Sequence, residues 1–455
     1  MAWRGNGRIT TLAGALAGAL ALTLLTGACS KDEPILTGKR ENIRSVLDTR
    51  ASGGAGAADQ GTTMAPPPLR LPEPRANAEW RQRNGSPDTR PEHPALRTDA
   101  QLAWSVDIGQ GDGRRNRITA DPVVARGRVF TLDSEARVSA VSPAGKVLWQ
   151  AVMEAPADRS ALNAQGGGLA YGDGKLFVSL GYGSLVALDP VTGAVIWRQS
   201  LGSTGSGSPA VRGGLVYLVA GDEVAWVLDT ENGRIRWQLS ATPDLNNVQG
   251  GPAPALTDKY VVFPFGSGQV QAALRRGGFR LWDAQIAGER PGVAAARVRD
   301  ITGDPLVVDD TVYTGSHSGR LVALRLGDGT RLWTANEGPL NPIWPAGGSL
   351  FLISDRNELL RLSAEDGRRL WGRPLPFFTS SRPRRQSEIV AHHGPVLAGG
   401  RLVVASNDGK LRFFDPETGA PLGARDLPGG ATTNPAVAGG TLYVVSTKGQ
   451  LLAYR

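Results

Sequence analysis

Residues that could carry out chemistry are few in this chain of 455 residues. There is one cysteine, Cys29, and there are four histidines, His93, His317, His392 and His393. A single thiol excludes an intramolecular disulfide and any metal site built from several cysteines. His392 and His393 are adjacent at the predicted start of a strand, so their rings should point apart rather than share a metal. No HExxH, EF-hand or GxSxG pattern is present, so the sequence predicts neither a metal nor a catalytic site.

The lone cysteine stands at the end of an apolar N-terminal segment. Two arginines precede the apolar stretch Leu12–Leu25, and LTGAC ends at Cys29. This ending resembles a bacterial lipobox, although Thr26 occupies the place where leucine is most common. We therefore expect residues 1–28 to be a signal peptide and Cys29 to be lipidated, the alternative being an ordinary signal peptide or anchor helix. Ser30, which is not Asp, favours sorting to the outer membrane.

Composition then divides the rest of the chain into a tether and a body. Residues 29–78 are rich in Pro, Ala and Gly, which predicts a flexible tether behind the lipid anchor. Residues 79–455 should form the body, with the segment from Trp80 to Ala100 lying against it. The formal net charge is +8, but no long basic block occurs; Ser381–Gln386 (SRPRRQ) is short and broken by proline. We therefore expect no nucleic-acid partner.

A repeated motif dominates the body. Ala187–Trp197 reads ALDPVTGAVIW, and near-copies of this stretch recur along the chain. In each copy Asp and Gly shape a turn between two short strands, and a tryptophan follows. The closing tryptophans recur about every 40–50 residues, the period of a β-propeller blade with four strands. They are Trp104, Trp149, Trp197, Trp237, Trp282, Trp333 and Trp371.

The repeats predict an all-β fold, an eight-bladed β-propeller with four-stranded antiparallel blades. The eighth unit lacks a final strand, and Leu102–Gly109 supplies one with its own Trp104. An N-terminal strand should therefore complete the last blade and close the ring, which protects both sheet edges. Each closing tryptophan should pack between neighbouring blades. Proline opens most first strands, where no hydrogen-bond donor is lost.

These units resemble the PQQ-like repeat family over residues 101–455. Quinoprotein dehydrogenases of that family bind pyrroloquinoline quinone with Ca²⁺, and this resemblance implies vicinal cysteines and calcium-ligating carboxylates. The chain has no cysteine pair, and Asp189, Asp229 and Asp415 occupy repeated turn positions. Asp121 and Asp304, each before a proline, are interpreted as loop caps. We therefore expect no cofactor and no catalysis; a periplasmic PQQ-dependent dehydrogenase and a propeller that binds an envelope ligand remain the alternatives.

The lipobox, the tether and a propeller without cofactor ligands together resemble the BamB family of outer-membrane assembly factors. The resemblance implies a non-enzymatic scaffold lipoprotein, anchored in the outer membrane and facing the periplasm. Its implied partners are the POTRA region of the central barrel protein of the Bam complex and nascent β-barrel clients. An exposed edge strand could hold a client strand by β-augmentation.

The resemblance also implies partner contacts in two long connections, Asp244–Pro254 and Arg297–Pro305. In the first, Val248 keeps the family's apolar character, whereas Gln249 replaces an arginine. In the second, Asp300 is kept and a threonine replaces a second aspartate, so that Arg297 or Arg299 would have to supply a charged contact. The alternative is that both connections are variable surface loops.

Overall fold

The regular secondary structure of the computed structural model is almost entirely β-strand. The structure describes residues 67–153, 167–203, 207–244, 250–288, 290, 294–380, 382, 384 and 386–455. In these residues 32 strands form eight separate four-stranded antiparallel sheets, and the 3-10 helix with described bounds is Ala294–Arg297. The sheets are the blades of a β-propeller, which confirms the predicted fold and blade count. The predicted signal peptide and Cys29 lie outside the described residues.

The first four blades are given from the inner to the outer strand. Blade 1 contains β2 (Val123–Ala125), β3 (Arg128–Leu132), β4 (Arg137–Val141) and β5 (Val147–Val152). Blade 2 contains β6 (Gly167–Gly172), β7 (Lys175–Leu180), β8 (Ser184–Leu188) and β9 (Val195–Ser200). Blade 3 contains β10 (Ala210–Arg212), β11 (Leu215–Val219), β12 (Val224–Asp229) and β13 (Ile235–Ser240). Blade 4 contains β14 (Ala255–Leu256), β15 (Tyr260–Pro264), β16 (Gln269–Leu274) and β17 (Arg280–Gln285).

The last four blades follow the same order. Blade 5 contains β18 (Ile301–Val308), β19 (Thr311–Ser316), β20 (Arg320–Arg325) and β21 (Arg331–Ala335). Blade 6 contains β22 (Trp344–Ala346), β23 (Ser349–Ile353), β24 (Glu358–Ser363) and β25 (Arg369–Pro374). Blade 7 contains β26 (His392–Ala398), β27 (Arg401–Ser406), β28 (Lys410–Phe414) and β29 (Pro421–Asp426). Blade 8 contains β30 (Ala436–Ala438), β31 (Thr441–Val445), β32 (Gln450–Tyr454) and β1 (Leu102–Asp107).

Blade 8 closes the ring as predicted, because β1 from the N-terminal side of the body is its outer strand. β1 pairs antiparallel with β32, and Ser105 lies opposite Leu452. This pairing covers the edge of β32 that would otherwise be left open at the C-terminal end of the body. Two first strands begin earlier than the proline pattern predicts: β18 and β26 include Pro305 and Pro395, and both prolines lie at a register shift where no ladder donor is needed.

The turn between the third and fourth strands has the predicted chemistry. The carboxylate of Asp189 accepts hydrogen bonds from the backbone N–H groups of Val191 and Thr192, both at 2.8 Å. Gly193 has a φ of +76°, a conformation that disfavours other residues. Ala187 then pairs with Trp197 but Leu188 pairs with Val195, so the outer strand carries a bulge. The other blades with a continuous chain from third to fourth strand have a bulge at the same place.

The repeated tryptophans join each blade to the next. The indole N–H of Trp149 donates to the carbonyl of Pro190 at 3.2 Å, and that of Trp197 to Thr230 at 3.1 Å. Each acceptor belongs to the turn between the third and fourth strands of the following blade. Trp104, Trp282, Trp333 and Trp371 make the equivalent bond. Trp237 packs on the equivalent turn, where Tyr217 donates to the carbonyl of Arg275 instead. The predicted wedge between blades is confirmed.

Candidate functional site

An N-terminal segment, residues 77–97, runs around one face of the propeller and is called the strap below. It contacts the blades in order, beginning at blade 8, where Gly439 donates to the carbonyl of Asn77 at 2.7 Å. At one repeated position of the first strand, blades 1 to 5 each donate a backbone N–H to the strap. The donors are Val124, Tyr171, Val211, Leu256 and Val307, and the acceptors are Trp80, Arg81, Gln82, Pro87 and Asp88. The strap therefore satisfies inward-facing donors that the sheets leave unpaired.

Blade 6 is held differently because Pro345 occupies the same position and has no N–H to donate. There Trp80 of the strap stacks on Trp344, with ring centroids 6.2 Å apart. The guanidinium of Arg90 lies 5.1 Å from the centroid of Trp344. Burial lowers the pKa of Arg90 to about 10. Blade 7 also bonds to the strap, because the backbone N–H of Gly399 donates to the carbonyl of Pro94 at 2.9 Å.

The body extends further toward the N-terminus than the composition predicts. Residues 67–78 fall within the predicted tether, yet Leu69 and Leu71 pack against the hydrophobic core. The buried guanidinium of Arg361 also donates to the carbonyl of Pro67 at 2.9 Å. The remainder of the predicted tether, residues 29–66, lies outside the described residues.

Arg83 extends from the strap into the central channel. Its Nε lies 2.9 Å from a carboxylate oxygen of Asp304, and its Nη1 lies 3.3 Å from Asp121. Burial alone would lower the pKa of Arg83, but the charges of Asp304 and Asp121 outweigh it and the pKa is raised. Burial raises the pKa of Asp304, against the opposing effect of Arg83 and Arg90. The interpretation of both aspartates as loop caps is therefore wrong for Asp304 and incomplete for Asp121, which also accepts from the backbone of Asn434 at 2.8 Å.

Beyond Arg83 the channel widens into a cavity of about 480 Å³. Residues that precede the first strands, together with turns between second and third strands, form its wall, so it opens at the end of the channel opposite the strap. Its polar lining residues include Asp112, Asp300, Asn341, Asn407 and Thr433. His393 also lines it, and burial, with the nearby charges of His392 and Arg83, lowers the pKa of His393 to about 3. Its neighbour His392 instead bonds Ser406 at 2.7 Å, so the two rings point apart as predicted.

The residues of this cavity do not fit a quinone with a calcium ion. Within the described part of the chain, no group of three or more His, Cys, Asp or Glu side chains is arranged to hold a metal. No Phe, Tyr or Trp side chain is among the residues that line the cavity, so a planar quinone would have no phenyl or indole ring to stack on. Arg83 and its two carboxylates also fill the channel below the cavity.

The two connections predicted to contact a partner meet at the mouth of this cavity. Gly250–Pro252 from the first connection and Asp300–Thr302 from the second both line it. Arg297, the last residue of the 3-10 helix, and Arg299 are exposed. Asp300 is only 4% exposed, so it faces the cavity wall rather than the outer surface. Val248 and Gln249 lie outside the described residues.

The segment of residues 80–100 lies against the body as predicted, but its part in this site was not predicted from the sequence. Trp80, Gln82 and Arg90 are each nearly inaccessible to solvent, although they lie in a polar, proline-containing segment. The one available signal was the large Trp80, which is isolated from the repeats.

No helix among the described residues is long and apolar enough to cross a membrane.

Comparison with known proteins agrees with this architecture. A model of the family described as outer membrane protein assembly factor BamB matches residues 134–373 and 379–455. The chain is 24% identical over 358 residues to the outer membrane protein assembly factor BamB of Yersinia pestis, covering 77% of this chain and 88% of the relative.

Two solved structures share the fold. BamB from Moraxella catarrhalis has a TM-score of 0.62 and 19% identity, covering 78% of this chain and 97% of that chain. The quinohemoprotein alcohol dehydrogenase from Comamonas testosteroni has a TM-score of 0.63 and 16% identity, covering 83% and 80%. At these identities the structures support the eight-bladed fold alone, and the family is given by the sequence match. The chain belongs to the BamB family of outer membrane protein assembly factors.

Proposed function

We propose that this protein is a non-enzymatic scaffold lipoprotein of the outer-membrane β-barrel assembly complex. Anchored through Cys29 and facing the periplasm, it would assist the folding and insertion of outer-membrane proteins. Membership of the BamB family supports this role. One observation of the structure carries it: both connections expected to contact a partner meet at the same mouth of the channel.

The proposed partner is the periplasmic POTRA region of the central barrel protein. Arg297 and Arg299 are exposed at the mouth, where charged groups can steer and orient a partner. The threonine that replaces the family's second aspartate, Thr302, donates to the carbonyl of Pro339 at 2.5 Å. Its hydroxyl therefore serves the fold, and the charged contact is assigned to the two arginines.

The proposal includes binding of nascent β-barrel clients, and this part rests on the role of the BamB family. The outer strands are edges, but each bulge leaves only a short regular stretch, such as Trp197–Ser200 in blade 2. Short, bulged edges are typical of sheets that resist pairing with other strands. The structure of these edges therefore gives little support to the β-augmentation hypothesis.

A pull-down with the purified POTRA region tests the proposal. Reversing both charges, with Arg297→Glu and Arg299→Glu, should weaken binding by about tenfold and reduce its salt dependence. The control is Arg368→Glu, a 68% exposed side chain on a turn at the opposite face of the propeller. Binding that survives the double reversal would exclude this interface, and absence of binding by the unmodified protein would contradict the proposed function.

A further inference from the structure

The connection between blades 6 and 7 forms a hairpin that projects from the open face. Residues 376–380 and 386–391 are its described arms, and Ala391 at its base lines the mouth of the cavity. Val390 donates to the carbonyl of Phe377 at 2.9 Å, and Thr379 donates to that of Glu388 at 3.1 Å. These bonds pair the two arms in an antiparallel arrangement.

The base of this hairpin is fixed to the body. Leu375 and Val390 are both buried in the propeller. The ring of His392 bridges the base, with one nitrogen 2.8 Å from the carbonyl of Pro376 and the other 2.7 Å from Ser406. The hairpin is therefore presented at a defined position on the open face.

Three large apolar side chains of the hairpin are directed away from the core. Phe377, Phe378 and Ile389 are 42%, 37% and 56% exposed. Phe378 lies opposite Ile389 in an antiparallel bridge, and the two phenyl rings are 4.8 Å apart in an edge-to-face arrangement. A contiguous exposed apolar group of this kind marks an interaction surface, in contrast to single exposed side chains.

Positive charge accompanies this apolar group. Arg382 and Arg384 are exposed at the end of the hairpin, and neither has an acidic partner among the described ion pairs. Glu388 is the one acidic residue between Pro376 and Ala391 in the sequence. Phenyl rings beside guanidinium groups fit the boundary between acyl chains and anionic headgroups, because the rings enter the apolar layer while the cations meet phosphates.

We propose that this hairpin binds the surface of an anionic phospholipid bilayer. Phe377, Phe378 and Ile389 insert at the level of the headgroups, and Arg382 and Arg384 pair with lipid phosphates. The inference deepens the proposed function, on which it rests for the location of the protein at a membrane. In the proposed function the lipid on Cys29, 38 residues before Pro67 in the sequence, holds the protein at that membrane.

Flotation with lipid vesicles tests the binding. The probe is the mature chain from residue 29 with Cys29→Ser, so that no attached lipid contributes. It should float with vesicles of phosphatidylethanolamine and phosphatidylglycerol and remain behind with vesicles of phosphatidylcholine. Replacing both arginines, with Arg382→Gln and Arg384→Gln, should lower the partition coefficient by about tenfold or more. Phe377→Ser with Phe378→Ser should reduce it similarly.

A matched control separates the hairpin from general surface hydrophobicity. Phe279 is 68% exposed on a turn of blade 4, so Phe279→Ser removes an exposed ring elsewhere and should leave flotation unchanged. Equal flotation of the hairpin variants and the parent, or no flotation of the parent, would overturn the proposal. If the phenylalanine variant lost POTRA binding while vesicle binding was absent throughout, the hairpin would belong to the protein interface instead. The pull-down above is measured without lipid, so the two proposals can fail separately.

Discussion

Trp149 of blade 1 packs directly against Gly193 of blade 2. A Cβ placed on Gly193 would lie 2.6 Å from a ring carbon of Trp149, which is closer than any side chain could tolerate. The same contact recurs around the ring, with turn glycines at 145, 233, 278, 329, 367 and 419 facing the tryptophan of the preceding blade. The turn therefore requires glycine both for its own backbone conformation and for contact with the tryptophan of the preceding blade.

This relationship predicts a specific cost for alanine at Gly193. Gly193→Ala should lower the free energy of unfolding by about 2–5 kcal/mol, because a left-handed backbone and a displaced indole both contribute. Gly174→Ala is the control: Gly174 has a φ of +77° but no atom within 4 Å of the added Cβ, so only about 1–2 kcal/mol should be lost. Urea unfolding measures both variants. Equal losses would mean that the tryptophan contact adds nothing to stability.

The same contact explains where the repeat lacks its tryptophan. In the outer strand of blade 7 the tryptophan position is occupied by Gly423, which pairs with Phe413 as Trp197 pairs with Ala187, so the expectation that Leu422 stands there is wrong by one residue. The following blade has no turn between its third and fourth strands, because β32 and β1 come from opposite ends of the body. A tryptophan in blade 7 would have no turn glycine to cover, so its absence follows from the closure of the ring.

The fold could be predicted because its determinants recur, whereas those of the strap do not. The Asp–Gly turn and the tryptophan appear in nearly every blade, so each copy supports the assignment of the others. The strap instead contacts the blades largely through its backbone carbonyl groups, which leave no pattern in its side chains. Trp80, which stacks on Trp344, and the side-chain amide of Gln82 are exceptions. The polar sequence of the strap has no period, and the depth of burial of its side chains becomes apparent only in the assembled ring.

Arg83 gives the second prediction, since its charge lies between two buried carboxylates. Arg83→Met should lower the free energy of unfolding by about 3–5 kcal/mol, because Asp304, which is fully buried, would lose its counter-charge. Adding Asp304→Asn to this variant should recover part of the loss, since the buried charge is then removed as well. Urea unfolding of the single and double variants checks both statements.

Arg90 supplies the control for this experiment. It is also buried in the strap, yet its Nε and Nη1 find no acceptor within the described part of the chain. Its main contacts are the two tryptophan rings. Arg90→Met keeps the volume and removes an expensive buried charge, but it also removes a charge that attracts Asp304. These two effects oppose each other, so the stability should stay within about 1 kcal/mol of the parent. A similar large loss in both variants would show that volume, and not the ion pairs, decides the effect at Arg83.

The candidate site was only partly predictable, because the burial of its residues depends on the assembled ring. The sequence placed Arg297, Arg299 and Asp300 in one connection, and the structure brings this connection beside Gly250–Pro252 at one mouth. Neighbouring charges in sequence did not reveal that Asp300 is buried while both arginines are exposed. β18 starts at Ile301, earlier than the proline at position 305 suggested, and extends toward the channel. This extension separates the buried Asp300 from the two exposed arginines.

His393 gives the third prediction, which concerns pH. Burial lowers the pKa of His393 to about 3 in the folded protein, where Arg83, Asp121 and Asp300 line the same cavity. In the unfolded chain the pKa of His393 should be near 6.5. Between these values the unfolded chain binds one more proton, so stability falls as the pH falls from 6.5 toward 3. Because water enters the open cavity, about 1–3 kcal/mol should be lost by pH 4. Urea unfolding of His393→Gln should show a smaller loss of stability over this range and the same pH dependence as the parent between pH 7 and 8. Parallel curves for the two proteins down to pH 4 would show that His393 is protonated as readily in the folded protein as in the unfolded chain.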